Sequence, residues 1–123
     1  MKTFLKSVLV LILAFGVLSS CARVEKYGQA ISNRQITAIK DILANPKAYE
    51  GKTVTIEGTI STECETGCWF YVKLAQGNAA IYVDIGVSGF AIPQNVNRKV
   101  MVQGTVVIKP SGPMIKGTGV EVR

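Results

Sequence analysis

From Lys52 to the end of the chain, apolar and polar side chains alternate with a period of two, and this pattern constrains the fold more than any other feature. Successive side chains of a β-strand point to opposite faces, so the alternation predicts strands with one buried face. Four such stretches are clear, and a fifth is less regular because Gly117 and Gly119 indicate a bulge. The predicted strands lie at residues 52–60, 70–74, 81–85, 100–108 and 114–122.

The connections between these strands favour a closed barrel. A long link (61–68) joins the first two strands, a tight turn at Gln76-Gly77-Asn78 joins the next pair, and a long crossing (86–97) precedes the fourth. This order matches an OB-fold, a five-stranded Greek-key barrel. Gly58 and Gly104 fall on the inward side of their strands, where small residues let strands coil tightly. The predicted fold class is all-β, a small OB-like barrel.

One amphipathic helix is predicted ahead of the barrel. Ser32 and Gln35 fit a capping box, apolar residues then recur at helical spacing, and Asn45-Pro46 ends the helix. Residues 32–123 are therefore interpreted as one barrel domain with an N-terminal helix. Residues 21–31 contain few apolar side chains and are predicted to form a flexible tether.

Residues 1–20 read as an export signal. Lys2 and Lys6 precede an apolar run that is shorter than the roughly 20 residues needed to cross a bilayer. The run ends in Leu18-Ser19-Ser20-Cys21, which resembles the lipobox of bacterial lipoproteins. That resemblance implies that Cys21 receives a diacylglyceryl thioether, becomes the new N-terminus and is acylated there. The alternative is an ordinary secretory signal followed by an unrelated cysteine.

The expected location is the cell envelope, with the protein anchored to a membrane by lipid on Cys21. Ala22 follows the lipidated cysteine, and in the sorting rule that accompanies the resemblance this favours the outer membrane, facing the periplasm, if the organism has one. More than one acyl chain makes such anchoring stable, because each buried methylene contributes about 0.8 kcal/mol.

The composition argues against catalysis and against duplex nucleic acid as a partner. The 123 residues include no histidine, which removes the usual general base and the commonest metal ligand. We therefore expect neither an enzyme nor a cofactor.

Removal of Lys2 and Lys6 lowers the formal net charge from +6 to +4. The remaining basic residues form no run longer than Arg98-Lys99, whereas duplex-binding domains cluster them.

Residues 64–69, Cys-Glu-Thr-Gly-Cys-Trp, lie between Gly51–Gly58 on one side and Gly89–Pro93 and Val100–Gly104 on the other. In this arrangement the chain resembles a family of small uncharacterised bacterial envelope proteins with a Cys-x-x-Gly-Cys-Trp motif on an OB-like barrel. The likeness covers roughly Leu43 to Val107. It implies the fold and the compartment, and it implies no particular activity.

Cys64 and Cys68 are the first candidate site. In an exported protein, two cysteines four positions apart at a strand corner favour a disulfide, and Gly67 eases the bend between them. A metal site is the second interpretation, with Glu63 or Glu65 adding a carboxylate, although structural zinc needs four ligands. A redox role is the third. For that role, the spacing between Cys64 and Cys68 is one residue longer than in the Cys-x-x-Cys motif of thiol oxidoreductases.

A set of aromatic residues is the second candidate site. If Phe70 and Val72 face the core, the alternation turns Trp69, Tyr71 and Lys73 outward, and Tyr82 outward on the next strand. This is the face on which OB-folds stack single-stranded nucleic acids or oligosaccharides. The alternative is that the aromatic rings pair across strands only to stabilise the sheet.

Two functions therefore remain open. The first is a lipid-anchored binding module without catalytic activity, whose ligand is an oligosaccharide, oligonucleotide or peptide stacked on this face. The second is a structural or assembly lipoprotein acting through contacts with envelope proteins. Exposure of Trp69 favours the first, and its burial favours the second.

Overall fold

The computed structural model describes residues 23–123, and these residues are mostly β-strand. Two short 3-10 turns, Pro46–Ala48 and Gly86–Ser88, interrupt the connections. Within the described residues, no helix has the length and apolar character needed to span a membrane. The elements are β1 (Glu25–Gly28), α1 (Ile39–Ala44), β2 (Thr53–Glu63), β3 (Trp69–Lys73), β4 (Ala80–Asp84), β5 (Lys99–Lys109) and β6 (Gly112–Val122).

The strands form one sheet that closes into a barrel. Their order is β1-β6-β4-β3-β2-β5, and a further pairing of β5 with β6 closes the ring of five. β4 and β6 run parallel, and the other pairs are antiparallel. The eleven-residue β2 pairs with two strands, its first part with β5 and its last part with β3. The predicted all-β, five-stranded OB-like barrel is confirmed.

The barrel interior holds the apolar half of the alternating pattern. β-Branched side chains fill most of it, as expected for residues that fit a pleated, buried surface. Gly58 and Gly104 lie where strands cross closely, because a Cβ at either position would collide with a backbone carbonyl, that of Lys73 or Lys116. Fully buried core side chains include Ile56, Ile60, Phe70, Val72, Val83, Ile85, Val102, Ile115 and Val122.

The irregularity predicted in the last strand is a bulge in β6. Gln103 pairs with Gly119 while Gly104 pairs with Gly117, so Thr118 is the extra residue. The Thr118 hydroxyl donates a hydrogen bond to the Gln103 carbonyl at 3.2 Å. The extra residue increases the local twist, which helps the sheet to close.

The predicted helix is much shorter than expected. It begins at Ile39 instead of following Ser32, and residues 32–38 run across the barrel as an extended arm. The Ser32 and Asn33 amides donate to Gln103 Oε1, and the Thr37 amide donates to the Thr55 carbonyl at 2.8 Å. Because barrel groups already occupy these donors, the capping box that the sequence predicted does not form.

Part of the predicted tether is also ordered structure. Glu25–Gly28 forms β1, which pairs antiparallel with the end of β6 from Val122 to Gly119. The segment has few apolar side chains because β1 lies at the sheet edge, where Glu25, Lys26 and Gly28 are exposed and only Tyr27 packs partly against the core. The structure therefore places residues 25–28 in a strand, where the sequence predicted flexible chain.

Candidate ligand-binding face and cysteine loop

The register between β3 and β4 gathers three aromatic rings on the outside of the barrel. Tyr71 lies directly opposite Tyr82, and Trp69 lies opposite Asp84. The Tyr71 and Tyr82 ring centroids are 5.3 Å apart at 72°, and those of Trp69 and Tyr82 are 5.6 Å apart at 31°. Trp69 meets Tyr71 edge to face at 6.1 Å. We call these three residues the aromatic face.

The three rings are not equally accessible. Tyr71 is 39% exposed, whereas Trp69 and Tyr82 are half-buried. Burial raises the pKa of the Tyr82 phenol, and the neighbouring Asp84 carboxylate raises it further. The phenol is therefore neutral at physiological pH and available as a hydrogen-bond donor. The face offers one open ring and two rings that present only part of their surface.

A groove of about 400 Å³ runs beside Tyr71 and Tyr82. Its far wall is the β5–β6 hairpin, which contributes Lys109 and Ser111. The local sequence of this hairpin did not mark it as part of a binding face. The available signal was the fold itself, because the loop between the last two strands of an OB-fold flanks its binding face. Leu43, Ala80, Gly112, Pro113 and Met114 complete the lining.

Lys73 faces outward on β3, as the alternation predicted, but it does not line the groove. It is exposed on β3 and lies opposite Ala80, on the same side as Tyr71. The residues that line the groove do not include it, whereas Lys109 lies in the groove wall. Among the described residues, Lys109 is therefore the cation placed beside the two tyrosines.

Residues 64–68 form a compact turn, here called the cysteine loop, that leads into Trp69. The Cys64 amide donates to the Trp69 carbonyl at 2.9 Å, and the Gly67 amide donates to the Cys64 carbonyl at 2.9 Å. Gly67 has a φ of 72°, a conformation that favours glycine. A Cβ on Gly67 would also collide with the Ile92 carbonyl. The loop therefore requires glycine for two separate reasons.

The long crossing between β4 and β5 fastens the cysteine loop to the barrel. The Ile92 amide donates to the Gly67 carbonyl at 3.1 Å, and the Gln94 side-chain amide donates to the carbonyls of Cys64 and Glu65. On the other side, the amides of Ile85 and Gly86 both donate to the Cys68 carbonyl. The loop is thus held at a fixed position beside Trp69.

The two thiols of the cysteine loop touch. The Sγ atoms of Cys64 and Cys68 are 2.9 Å apart, so they are in contact and the predicted disulfide is not formed. Hydrogen bonds from Cys68 and Thr66 to the Cys64 sulfur lower the pKa of Cys64 to about 6. A large part of Cys64 is consequently thiolate at neutral pH, the form that attacks oxidants and alkylating agents.

Glu63 does not join the two cysteines. Its Oε1 accepts hydrogen bonds from the backbone amides of Asn95 and Val96, which directs the carboxylate into the crossing. Among residues 23–123, no cluster of three or more histidine, cysteine or acidic side chains has an arrangement that could hold a metal ion. Cys21, the predicted lipidation site, lies outside the described residues.

Comparison with known proteins gives a likeness in fold. Neither a family model nor a curated protein sequence matches this chain. Among solved structures, the hypothetical protein ygiW from E. coli is similar over 72% of this chain and 90% of its own, with a TM-score of 0.55 and 19% identity. A putative aspartyl-tRNA synthetase from Leishmania major Friedlin is similar over 95% of this chain and 26% of its own, with a TM-score of 0.55 and 15% identity.

At these identities the comparisons establish the fold alone. The ygiW likeness spans nearly the whole of a hypothetical bacterial protein, and it supports the OB-like bacterial fold that the sequence resemblance implied. The synthetase likeness covers only about a quarter of that protein. What the chain binds must therefore be argued from its own surface.

Proposed function

We propose that the protein is a lipid-anchored, extracytoplasmic binding module without catalytic activity, and that its ligand stacks on the aromatic face. The observation that carries this proposal is the alignment of Tyr71 with Tyr82 along a groove whose other wall holds Lys109. OB-folds bind oligonucleotides and oligosaccharides on this same face, between the same pair of loops. The cysteine loop and the β5–β6 hairpin occupy those two positions here.

The charges around the groove favour an anionic ligand. Lys109 lies in its wall, and Lys73 and Lys116 are exposed on the neighbouring strands β3 and β6. Asp84 is the acidic side chain on the same side of β4, and its carboxylate accepts a hydrogen bond from the Val87 amide at 3.2 Å. An acidic oligosaccharide, a single-stranded oligonucleotide or an acidic peptide fits this combination of rings and cations.

Ligand binding can be measured through Trp69, because it is the only tryptophan of the chain. Full-length protein is titrated with acidic glycans, single-stranded oligonucleotides and acidic peptides while its fluorescence and melting temperature are recorded. Tyr71→Ala and Tyr82→Ala should each cost about 1 to 3 kcal/mol of binding free energy for a stacking ligand. Tyr71→Phe retains the ring and should bind nearly normally. Tyr49→Ala, a half-buried tyrosine that is not among the groove lining residues, is the control for a general loss of stability.

The anchoring part of the proposal rests on the residues around Cys21 and has its own test. Cys21→Ser should block lipid attachment and leave an unprocessed or mislocalised precursor. Intact mass and membrane fractionation of both proteins measure this directly. An identical mature N-terminus and an identical membrane fraction for Cys21→Ser would overturn lipid anchoring while leaving the ligand titration unaffected.

The half-burial of Trp69 supports a second candidate function, a structural or assembly lipoprotein. Its ring packs at 31° on Tyr82, an arrangement that stabilises the sheet whether or not a ligand binds. If Tyr71→Ala and Tyr82→Ala both lower the melting temperature and none of the three ligand classes changes Trp69 fluorescence, the aromatic face is sheet packing and this second function is favoured.

A further inference from the structure

Basic side chains cluster at one end of the barrel, beside the start of β1. Glu25, the first residue of β1, pairs with Val122, so Arg23 and Val24 lie beside the C-terminal end of β6. The backbone there is tightly connected, since the Arg123 amide donates to the Lys99 carbonyl at 2.9 Å. The Arg98 guanidinium donates to the Arg123 carbonyl at 3.2 Å and to Glu25 at 3.4 Å. We call Arg23, Arg98, Lys99 and Arg123 the basic end.

Apolar side chains are exposed next to these cations. Val24 precedes β1 and is 39% exposed, and Val96 lies two residues before Arg98 and is 44% exposed. A cleft of about 480 Å³ opens beside the basic end, and Lys99 and Arg123 line it together with Ile36, which is 37% exposed. Three of the five large apolar side chains exposed among residues 23–123 are therefore found here.

The charge balance of this region is positive. Glu25, Glu57 and Glu63 are its acidic side chains. Glu25 is already paired with Arg98, Glu57 lies in the wall of the cleft, and Glu63 accepts hydrogen bonds from the Asn95 and Val96 amides. Four basic side chains thus stand against three carboxylates. A surface that combines cations with exposed aliphatic groups matches the headgroup region of an anionic bilayer, which attracts basic residues and accepts apolar ones.

We propose that the basic end is a docking surface for the anionic phospholipid headgroups of the membrane to which the chain is anchored. The inference rests on the proposed lipid anchor at Cys21. Only residues 22–24 separate that cysteine from Glu25, the first residue of β1, and the four residue steps from Cys21 to Glu25 span at most about 14 Å when extended. A barrel held on so short a link keeps this end within reach of the headgroups.

Docking in this orientation directs the Lys109 end of the groove away from the membrane. Lys99 and Lys109 mark opposite ends of β5, and a strand rises about 3.3 Å per residue, so the two lie about 30 Å apart along the strand. The groove wall at Lys109 is therefore far from the basic end, where an extracytoplasmic ligand can reach it.

The orientation can be read by quenching of tryptophan fluorescence with brominated lipid. Full-chain lipoprotein is reconstituted into two kinds of vesicle. One contains phosphatidylcholine alone, and the other also contains about 30% phosphatidylglycerol as the anionic lipid. Wild type reports on Trp69. Two further variants each carry Trp69→Phe and one new tryptophan at the basic end, from either Val24→Trp or Val96→Trp. If one variant fails to fold, the other still reports on the depth of the basic end. We expect strong quenching of both introduced probes in anionic vesicles and weaker quenching of both in phosphatidylcholine alone.

The contribution of charge is tested with matched double variants. Lys99→Gln with Arg123→Gln removes two cations from the basic end, and Lys47→Gln with Lys52→Gln removes two exposed cations elsewhere. Each basic residue near an anionic surface should shift the ratio of docked to undocked barrels about fivefold. Quenching of the Val96→Trp probe should therefore fall to the level seen in phosphatidylcholine for the first pair and remain unchanged for the second. High salt screens these charges, so it should reduce the quenching as Lys99→Gln with Arg123→Gln does.

Flotation of the vesicles in high salt separates this inference from the anchor on which it rests. If the protein leaves the vesicles there, the anchor has failed. If it floats with them and the introduced probes are quenched equally in both lipid mixtures, the docking surface is overturned while the anchor stands.

Discussion

Glu121 of β6 accepts two parallel hydrogen bonds from Arg34 of the extended arm. Arg34 Nη1 lies 2.8 Å from Oε2 and Nη2 lies 2.7 Å from Oε1. The Glu121 side chain is only 4% exposed, whereas that of Arg34 is 54% exposed. The guanidinium thus covers a carboxylate that would otherwise be buried without a cation, and the pair fixes the arm against the barrel.

Arg34→Ala should lower the free energy of unfolding by about 1 to 3 kcal/mol, because it leaves the Glu121 carboxylate buried and unpaired. Arg34→Lys should recover only part of the loss, since an ammonium cannot bond both oxygens in the same plane. Urea unfolding at neutral pH measures both. Equal stability of Arg34→Ala and wild type would show that the arm is not held by this pair.

Stability should also fall in acid through Glu121. The hydrogen bond from Arg34 lowers the pKa of Glu121 below its usual 4.5. The contribution of the pair is therefore complete above about pH 4.5, where the unfolded chain is also ionised, and it is lost as the pH falls through the lower folded pKa. Unfolding curves from pH 7 to pH 3 should show a steeper acid loss for wild type than for Glu121→Gln. Parallel pH profiles would contradict this prediction.

Gly67→Ala should destabilise the cysteine loop more than a glycine substitution elsewhere. Gly77 also has a positive φ, 84°, but nothing would contact a Cβ there, so Gly77→Ala should cost only about 1 kcal/mol of backbone strain. At Gly67 the collision with the Ile92 carbonyl adds about 1 to 3 kcal/mol. Thermal unfolding of the two variants gives the difference, and equal melting temperatures would contradict the collision.

Cys64 and Cys68 should be joined by a disulfide in protein isolated from the envelope. Their sulfurs are already in contact, and an oxidising compartment would complete the bond. Intact mass before and after reduction should differ by two hydrogens, and alkylation without reduction should leave both residues unmodified. Two alkylated thiols in native, metal-free protein would contradict the disulfide.

In reduced protein, the reactivity of the Cys64 thiol tests the hydrogen bonds that Cys68 and Thr66 make to it. Cys64 should react with iodoacetamide with half-maximal rate near pH 6, because its pKa is lowered to about that value by hydrogen bonds from Cys68 and then Thr66. Cys68→Ala, which removes the donor, should move the midpoint upward toward the usual 9.0, and Thr66→Val should move it less. Peptide mapping assigns the alkylated residue.

Lys109 should matter more than Lys73 for an anionic ligand. Lys109 lies in the groove wall and Lys73 does not, so Lys109→Ala should lower the salt dependence of binding by about one charge, with a smaller change for Lys73→Ala. Titrations against a single-stranded oligonucleotide or an acidic glycan at several salt concentrations measure both slopes. A larger effect of Lys73→Ala would place the ligand on β3 outside the groove.

Much of this architecture was predictable because it follows from local sequence. The alternation along 53–63 and 99–109 specified strands, since a period of two can bury one face only in extended backbone. Parity alone put Tyr71 and Tyr82 on the outer side. The connection lengths then selected an OB-like order over other all-β folds.

The tertiary structure decided what no local pattern encodes. The sequence of residues 32–38 fits the start of a helix, yet Gln103 and Thr55, distant in sequence, accept hydrogen bonds from the backbone donors that such a start would use. Residues 25–28 look like solvent-exposed chain, yet the edge of β6 gives them partners. The groove joins Tyr71 and Tyr82 to Lys109 because the sheet closes on itself. Sequence periodicity reports only which side of its own strand a side chain faces, whereas barrel closure sets which distant segments become neighbours.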